Sequence, residues 1–225
     1  CEIVGCVGED RAGEQMMEAL ERLGIGARGL LRTGDRPTTV KTRILARHHQ
    51  VARYDVERED DVDDATATAL VEAIRTLVAE VDAVVLEDYN KGVLVPRVIA
   101  AALEAARERD IPVVVDPKSR NFFAYGGATV FKPNLPELTA ALRAPVQADD
   151  PEWMARVRGE LGCTHLLVTL GEGGMALLSG AGEYLRIPTV ARSVYDVSGA
   201  GDTVTAVLAA ALGFAMGVMR HPIPR

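Results

Sequence analysis

Cysteine is scarce in this 225-residue chain, and the three that occur are Cys1, Cys6 and Cys163. They form no C-x-x-C pair and leave one unmatched, so neither a disulfide framework nor a zinc site is supported. A reducing, cytoplasmic setting is the expectation. No apolar run reaches the roughly 18 residues of a membrane span. Strict G-x-G-x-x-G is missing, which counts against a dinucleotide-binding dehydrogenase. G-x-x-x-x-G-K-[ST] is missing too, which counts against a Walker-type NTPase. Positive charge is in deficit, with Lys+Arg 25 against Asp+Glu 32 and a net charge of −7. That balance argues against nucleic acid and anionic membranes as main partners. A small anionic substrate stays open, because a site needs only a few local cations. Apolar residues make up 48% of the chain, enough for the sizeable core of one domain.

Taken in order, Glu2 to Gly8 reads as a strand entering a glycine turn, and Gln15 to Leu23 has helical periodicity through Met16, Leu20 and Leu23. Leu30 to Glu57 differs in texture. Thr38 to Ala46 and Val51 to Val56 are β-branched and partly alternating, which predicts two or three antiparallel strands. His48 and His49, between them, lack other metal-type ligands at suitable spacing and read as a solvated loop. An acidic connector, Glu57 to Asp64, precedes an amphipathic helix marked by Leu70, Val71, Ile74, Leu77, Val78 and Val81. Ala83 to Leu86 and Ile111 to Val115 are short apolar runs, as expected of buried parallel strands, and Pro96 to Arg109 is the helix between them. Strands alternating with helices predict a mainly parallel, doubly wound α/β sheet.

Polar residues follow each of these strands, where open α/β sheets bind ligands. After the first come Glu87-Asp88-Tyr89-Asn90-Lys91-Gly92, and after the second Asp116-Pro117-Lys118. Thr129 to Glu137 predicts a strand and then a capped helix, with Asn134 and Glu137 closing a capping box and Pro136 tolerated in the first turn. His165 to Met175 predicts a strand running into a glycine-rich hairpin. Near the end, Arg192 to Val197 is β-prone, Ser198-Gly199-Ala200-Gly201-Asp202-Thr203 is a glycine turn, and an Ala-rich helix follows. The helix start would present unpaired N–H groups and its positive dipole end to an anion, with Asp202 beside them. Those residues fit a base beside an anion hole, and they equally fit a plain helix cap.

Ser198-Gly199-Ala200-Gly201-Asp202-Thr203 resembles the C-terminal signature of the ribokinase-like (PfkB) carbohydrate kinases. The wider stretch Tyr195 to Val204 is most similar to the heptose-phosphate kinase branch, with Ser198 where Thr is common. Pro37-Thr38-Thr39-Val40-Lys41-Thr42-Arg43 and Asp88-Tyr89-x-Lys91-Gly92 resemble the same branch, in which Ser is more usual than Glu87. The resemblance reaches from the first strand to about Ala211. It implies that Asp202 is the catalytic base, with Gly199, Ala200 and Gly201 as the anion hole. It implies that Asn134, Leu135, Pro136, Glu137, Thr169, Gly171 and Gly174 border ATP, and that Asn134 and Glu137 hold Mg²⁺, largely through water. It places Asp10 near the sugar, Lys41, Arg43 and Arg53 near the substrate's own phosphate, and Asp88 and Lys91 near the transferred phosphoryl group, which Lys118 would join by its position at a strand end. For the cations, the alternative is that alternating polar residues simply face water.

By the same resemblance the expected substrate is D-glycero-D-manno-heptose 7-phosphate, phosphorylated at its anomeric hydroxyl for ADP-heptose and lipopolysaccharide core synthesis. Another sugar kinase (ribose, fructose 1-phosphate) and a non-catalytic sugar-phosphate binder are the alternatives. A small projecting sheet, about residues 28–57, is expected to cover the sugar and to pair with a second copy. Nothing like Gly-Gly-x-x-x-Asn precedes Gly5, and Pro222 and Pro224 stop the last helix. The expectation is therefore a partial kinase domain over 1–225, open at both ends.

Overall fold

Residues 1–46, 49–189 and 199–220 are described by the computed structural model, the side chains of His49, Gln50 and Arg220 excepted. The expected strand at Arg192 to Val197, Ser198, His48 and the closing prolines lie outside the described residues. The chain divides into two compact units, Cys1–Ala79 with Lys91–Val98, and Glu80–Asn90 with Ile99–Arg225.

In the first unit β1 (Glu2–Gly8) and β2 (Gly26–Thr33) pair in parallel, joined by α1 (Arg11–Arg22). Asp10 starts α1: its carboxylate accepts the Gly13 N–H at 2.8 Å and reaches across to the Thr38 N–H, also at 2.8 Å. One side chain thus fixes both the helix start and the segment leading into the next strand. α2 (Asp64–Val78) buries Leu70, Val71, Ile74, Leu77 and Val78 at helical spacing, as its periodicity requires. β3 (Val40–Ala46) and β4 (His49–Val56) form a separate antiparallel pair whose described side chains are almost all exposed. The expected lid thus starts too early at residue 28: residues 28–33 belong to β2, where parallel pairing with β1 claims them. His49 begins β4, opposite Ala46, and does not extend the loop.

The second unit is built on one six-stranded sheet in the order β10-β9-β8-β7-β6-β5. β5 (Val84–Glu87), β6 (Val113–Asp116), β7 (Val130–Phe131) and β8 (His165–Thr169) are mutually parallel. β9 (Met175–Leu178) and β10 (Tyr184–Ile187) run antiparallel on the edge. Helix α3 (Pro96–Glu108) links β5 to β6, while α4 (Leu135–Leu142) and α5 (Pro151–Leu161) link β7 to β8. This is the expected mainly parallel α/β sheet, with α5 and β10 added to what the pattern had marked. Parallel order brings the carboxyl ends of four strands to one edge, so Glu87, Asp116, Phe131 and Thr169 end together.

The last helix, α6 (Ala200–Arg220), lies against this sheet. Val204, Leu208 and Leu212, four residues apart, pack with Ala209 onto Val114, Val130 and Leu167. A fully buried aliphatic side chain contributes about 1.5–3 kcal/mol, so this face holds the helix down. Its outer face leaves Val207, Phe214 and Met219 exposed. By length and composition alone, Ala200–Met219 is long and apolar enough to cross a membrane, at a mean hydropathy of 1.7. The sequence showed no uninterrupted run because Asp202, Thr203 and Thr205 break it near its start.

Gly174, between β8 and β9, has φ 83° and ψ −130°, a region open to glycine alone. A Cβ there would meet the Ile187 carbonyl oxygen at 2.1 Å. Gly174→Ala is expected to destabilise the second unit by about 1–3 kcal/mol, read by urea denaturation. An unchanged midpoint would show that the hairpin tolerates another backbone.

Candidate functional site

The carboxyl edge of the second unit gathers charge that an apolar sheet would otherwise exclude. Lys132 follows β7 and is 2% exposed, and its Nζ lies 2.8 Å from Asp116 Oδ2 at the end of β6. Glu87 stands directly across from Asp116 in the β5–β6 register. Asp202, in the first turn of α6, completes a trio of carboxylates with oxygens all within 4.8 Å of one another. An acidic trio is not by itself a cation site, and Lys132 already supplies positive charge to one member. Burial pushes Glu87 up to about 7, with Asp116 and Asp202 adding to the shift and Lys132 and Thr205 opposing it. Burial also raises Asp116, against the pull of Lys132. Tyr89, in hydrogen-bond contact with Asp202, is pushed up to about 12 by partial burial and then by Asp202, Glu87 and Asp116.

The turn into α6 is shaped for close approach. Gly199 adopts φ 77°, and its carbonyl accepts from the Thr203 backbone N–H at 2.9 Å and hydroxyl at 2.8 Å. A Cβ on Gly201 would sit 3.4 Å from Lys132 Nζ and 3.8 Å from Asp116 Oδ2, so the helix start rests on the ion pair. Gly199, Ala200 and Asp202 are exposed while Thr205 is fully buried. The first-turn N–H groups of an α-helix have no partner inside the helix, and here they adjoin an exposed carboxylate.

A second motif cluster sits on the same edge. Asn134 caps α4 by accepting the Glu137 N–H at 2.8 Å, and Glu137 returns a carboxylate oxygen to the Asn134 N–H at 2.9 Å. This is the expected capping box. Asn134 bridges in parallel fashion to Thr169, whose N–H donates to the Pro133 carbonyl at 3.0 Å. Leu135 and Pro136 lie in the first turn of α4, and Gly171 and Gly174 shape the turn after Thr169. The residues read as bordering ATP are thus brought together. Lys118 pairs with Glu137 Oε1. The donor set of one carboxylate and one amide suits Mg²⁺, which retains water ligands readily.

Other expected residues are placed differently. Asp88 is buried, and both of its oxygens are engaged, by the Tyr125 hydroxyl at 2.8 Å and the Asn90 N–H at 2.7 Å. It anchors the turn at Asn90, a residue held at φ 54°. Lys91 belongs to the first unit, where it pairs with Glu57 at 2.7 Å and Glu59 at 2.8 Å. The acidic connector captures it. Lys41 also faces Glu57, at 3.6 Å, and Arg53 holds Asp55 at 2.7 Å. Arg43 is opposite Arg53 in the β3–β4 register. The hydrogen bond from Arg53, with Lys41 and Arg43 nearby, holds the Asp55 carboxyl below its ordinary value. Asp10 is held low by the Thr38 and Gly13 N–H groups, its caps.

Glu87, Tyr89 and Asp116 stood in the sequence only as polar residues at strand ends, without a role of their own, and Lys132 and Thr205 had none. Lys132 carried one signal, a charged residue inside the β-prone run Thr129 to Lys132.

This architecture is the ribokinase-like class. Arabidopsis thaliana ribokinase, solved with ribose and ATP, superposes with a TM-score of 0.71 at 23% identity, over 95% of this chain and 69% of that one. Escherichia coli phosphofructokinase-2 in complex with potassium gives 0.77 at 16% identity, over 95% and 69%. At such identities the likeness is one of fold. The chain belongs to the pfkB family of carbohydrate kinases, whose profile matches residues 2–215. It is 40% identical over 223 residues to the bifunctional protein HldE of Citrifermentans bemidjiense, covering 97% of this chain and 45% of that protein. It is 44% identical over 212 residues to HldE of Azorhizobium caulinodans, covering 93% and 44%. The chain therefore spans a little under half the length of these curated relatives.

Lys132→Met leaves a half-buried carboxylate without its cation, and is expected to cost about 3–5 kcal/mol. Lys132→Met combined with Asp116→Asn restores most of that loss in urea denaturation. If the double variant is no more stable than Lys132→Met, the pair is not what holds this corner.

Proposed function

We propose that this chain supplies a sugar kinase that transfers the γ-phosphoryl group of ATP to the anomeric hydroxyl of D-glycero-D-manno-heptose 7-phosphate. The observation that carries the reading is Asp202, an exposed carboxylate in the first turn of α6 beside Gly199, in a chain 40–44% identical to HldE proteins. Phosphoryl transfer asks for positioning and charge stabilisation more than covalent chemistry. Asp202 takes the proton of the acceptor hydroxyl, and the hydroxyl oxygen attacks the γ-phosphorus in line, breaking its bond to the β–γ bridging oxygen so that ADP leaves. The N–H groups of Gly199, Ala200 and Gly201 take up the charge growing on the equatorial oxygens. Thr169, Gly171, Gly174 and the Asn134-to-Glu137 turn border the nucleotide, and Lys118 exchanges Glu137 for phosphate. Asn134 and Glu137 would hold Mg²⁺ largely through water, and the ion would supply positive charge to offset that of the phosphates. Lys132 takes no part in transfer; it holds Asp116 and the helix start in place.

In the first unit, Lys41, Arg43 and Arg53 grip the substrate's own phosphate, which competes with Glu57 and Asp55 for them. Asp10 lies toward the sugar. β3 and β4 pair with a second copy, a reading supported by the exposed Val40, Ile44 and Tyr54. The reaction belongs in the cytoplasm and feeds ADP-heptose formation for the lipopolysaccharide core.

Asp202→Asn in the full-length protein is expected to keep ATP binding and lose turnover by about 10²–10⁴-fold. Turnover within a few fold of the parent removes Asp202 as the base. Lys41→Ala and Arg43→Ala are each expected to raise KM for the sugar phosphate about tenfold or more, the effect of one charge-assisted contact, with KM for ATP unchanged. An equal rise for both substrates points instead to a misfolded first unit.

A further inference from the structure

β3 and β4 form a hairpin whose described side chains are almost all exposed, and a lone two-stranded hairpin is marginal in water. Where it points therefore depends on how its two roots, residues 35–39 and 57–60, are held. The incoming root is seated on bare backbone. Thr38 donates its N–H to Asp10, and its hydroxyl oxygen accepts the Gly8 N–H, both at 2.8 Å. A Cβ on Gly8 would meet the Thr38 nitrogen at 2.7 Å and the Arg36 carbonyl oxygen at 2.8 Å, so a side chain there would push the root away. The two roots are then cross-braced. Arg36 Nη2, from the incoming root, donates to the Asp60 carbonyl at 2.8 Å, and Arg58 Nη1, from the outgoing one, donates to the Asp35 carbonyl at 2.5 Å. Arg36 Nη2 also donates to the Lys91 carbonyl at 3.1 Å. That bond ties in the turn at Gly92, whose carbonyl accepts the Val62 N–H at 2.9 Å and where a Cβ would lie 1.9 Å from the Asp60 oxygen. One guanidinium group thus joins three segments, at separations of 24 and 55 residues. Its other terminal nitrogen, Nη1, is buried and has no hydrogen-bond partner among the described residues. An unpaired buried donor detracts from stability, so what Arg36 supplies is placement.

We propose that Arg36 is a positioning residue that sets the β3–β4 hairpin, and with it Lys41, Arg43 and Arg53, against the phosphate of the sugar substrate. It touches no substrate and acts through the Asp60 and Lys91 carbonyls. Lys91 then serves the hairpin twice, its carbonyl held by Arg36 and its ammonium by Glu57 and Glu59 at the outgoing root. The meaning of the three cations rests on the function proposed above, while the clamp itself is independent of it. A planar fork anchored on two carbonyls fixes direction as well as distance, which the single ammonium of a lysine on a flexible stem cannot do. Charge-assisted hydrogen bonds are short, at about 2.7–2.9 Å, so a small tilt of the hairpin lengthens the contacts of all three cations together.

The test uses the full-length protein with Arg36→Met and Arg36→Lys. Arg36→Lys keeps the charge and serves as the second variant if Arg36→Met fails to fold. Each is expected to raise KM for the sugar phosphate by about tenfold, with kcat and KM for ATP within a few fold of the parent. Combined with Lys41→Ala, either is expected to raise KM by clearly less than the product of the single effects, since both act on the same phosphate contact. Amide hydrogen exchange read by mass spectrometry reports the clamp without substrate. Faster exchange is expected in both variants at Thr38 and Val62, with β2 unchanged. Unchanged exchange at both sites overturns the proposal, as does an unchanged KM or an equal change for the two substrates. So does a combined effect equal to the product. If the parent releases no ADP with any sugar phosphate, the kinase reading fails, and hydrogen exchange still decides whether Arg36 holds the roots.

Discussion

The pair of Lys132 and Asp116 is the constraint on which the corner beneath the glycine turn depends. A parallel sheet covered by helices presents apolar side chains almost throughout, yet its carboxyl edge has to carry charge for chemistry. An unpaired charge at such depth is prohibitive, whereas a well-placed pair is close to neutral and fixes geometry. Here the pair lies beneath the glycine turn, with Gly201 close enough that any side chain would press on Lys132 Nζ. The exposed side of the turn can therefore present N–H groups and Asp202 while its underside rests on a fixed support.

How far the sequence could be read depended on how local each signal was. The capping box of Asn134 and Glu137 was legible because three residues and one hydrogen-bond rule define it. The strands at Val84 and Val113 were legible as short apolar runs. Lys132 and Glu87 were not, because their meaning lies in a register that pairs residues 29 apart and in a helix that returns more than a hundred residues later. Asp88 and Lys91 show the converse. Neighbouring in sequence and both expected near the transferred phosphoryl group, they belong to different units, one held by Tyr125 and Asn90, the other by Glu57 and Glu59. β10 was missed because four residues of mixed polarity on an edge carry little periodicity. The start of the separate β3–β4 sheet was misread because β-branched texture does not distinguish a parallel strand from an antiparallel one.

In the first unit Lys41, Lys91 and Arg53 are each occupied by a carboxylate. Lys41 and Lys91 face one carboxylate, Glu57, and Arg53 holds Asp55. Of these, the Arg53–Asp55 pair is the most open to solvent, and solvent-exposed ion pairs contribute little to stability, with a median of about 0–1 kcal/mol. They cost correspondingly little to exchange. In the proposed reaction, a substrate phosphate at these cations would replace one anion with another and order few new side chains, which keeps the entropic cost of binding small.

Helix α6 serves at once as a core element and as the carrier of Asp202. At 1.5 Å per residue, Asp202 stands about 10 Å along the axis from Ala209, where the helix is gripped by the sheet. A rod pivoting there converts a tilt of about 6° into about 1 Å at its tip, a displacement that can cost on the order of a hundredfold in rate. The apolar contacts under Ala209, Val204 and Leu208 therefore act as an aiming mechanism. Packing errors too small to melt the protein would be magnified at Asp202, the base of the proposed transfer.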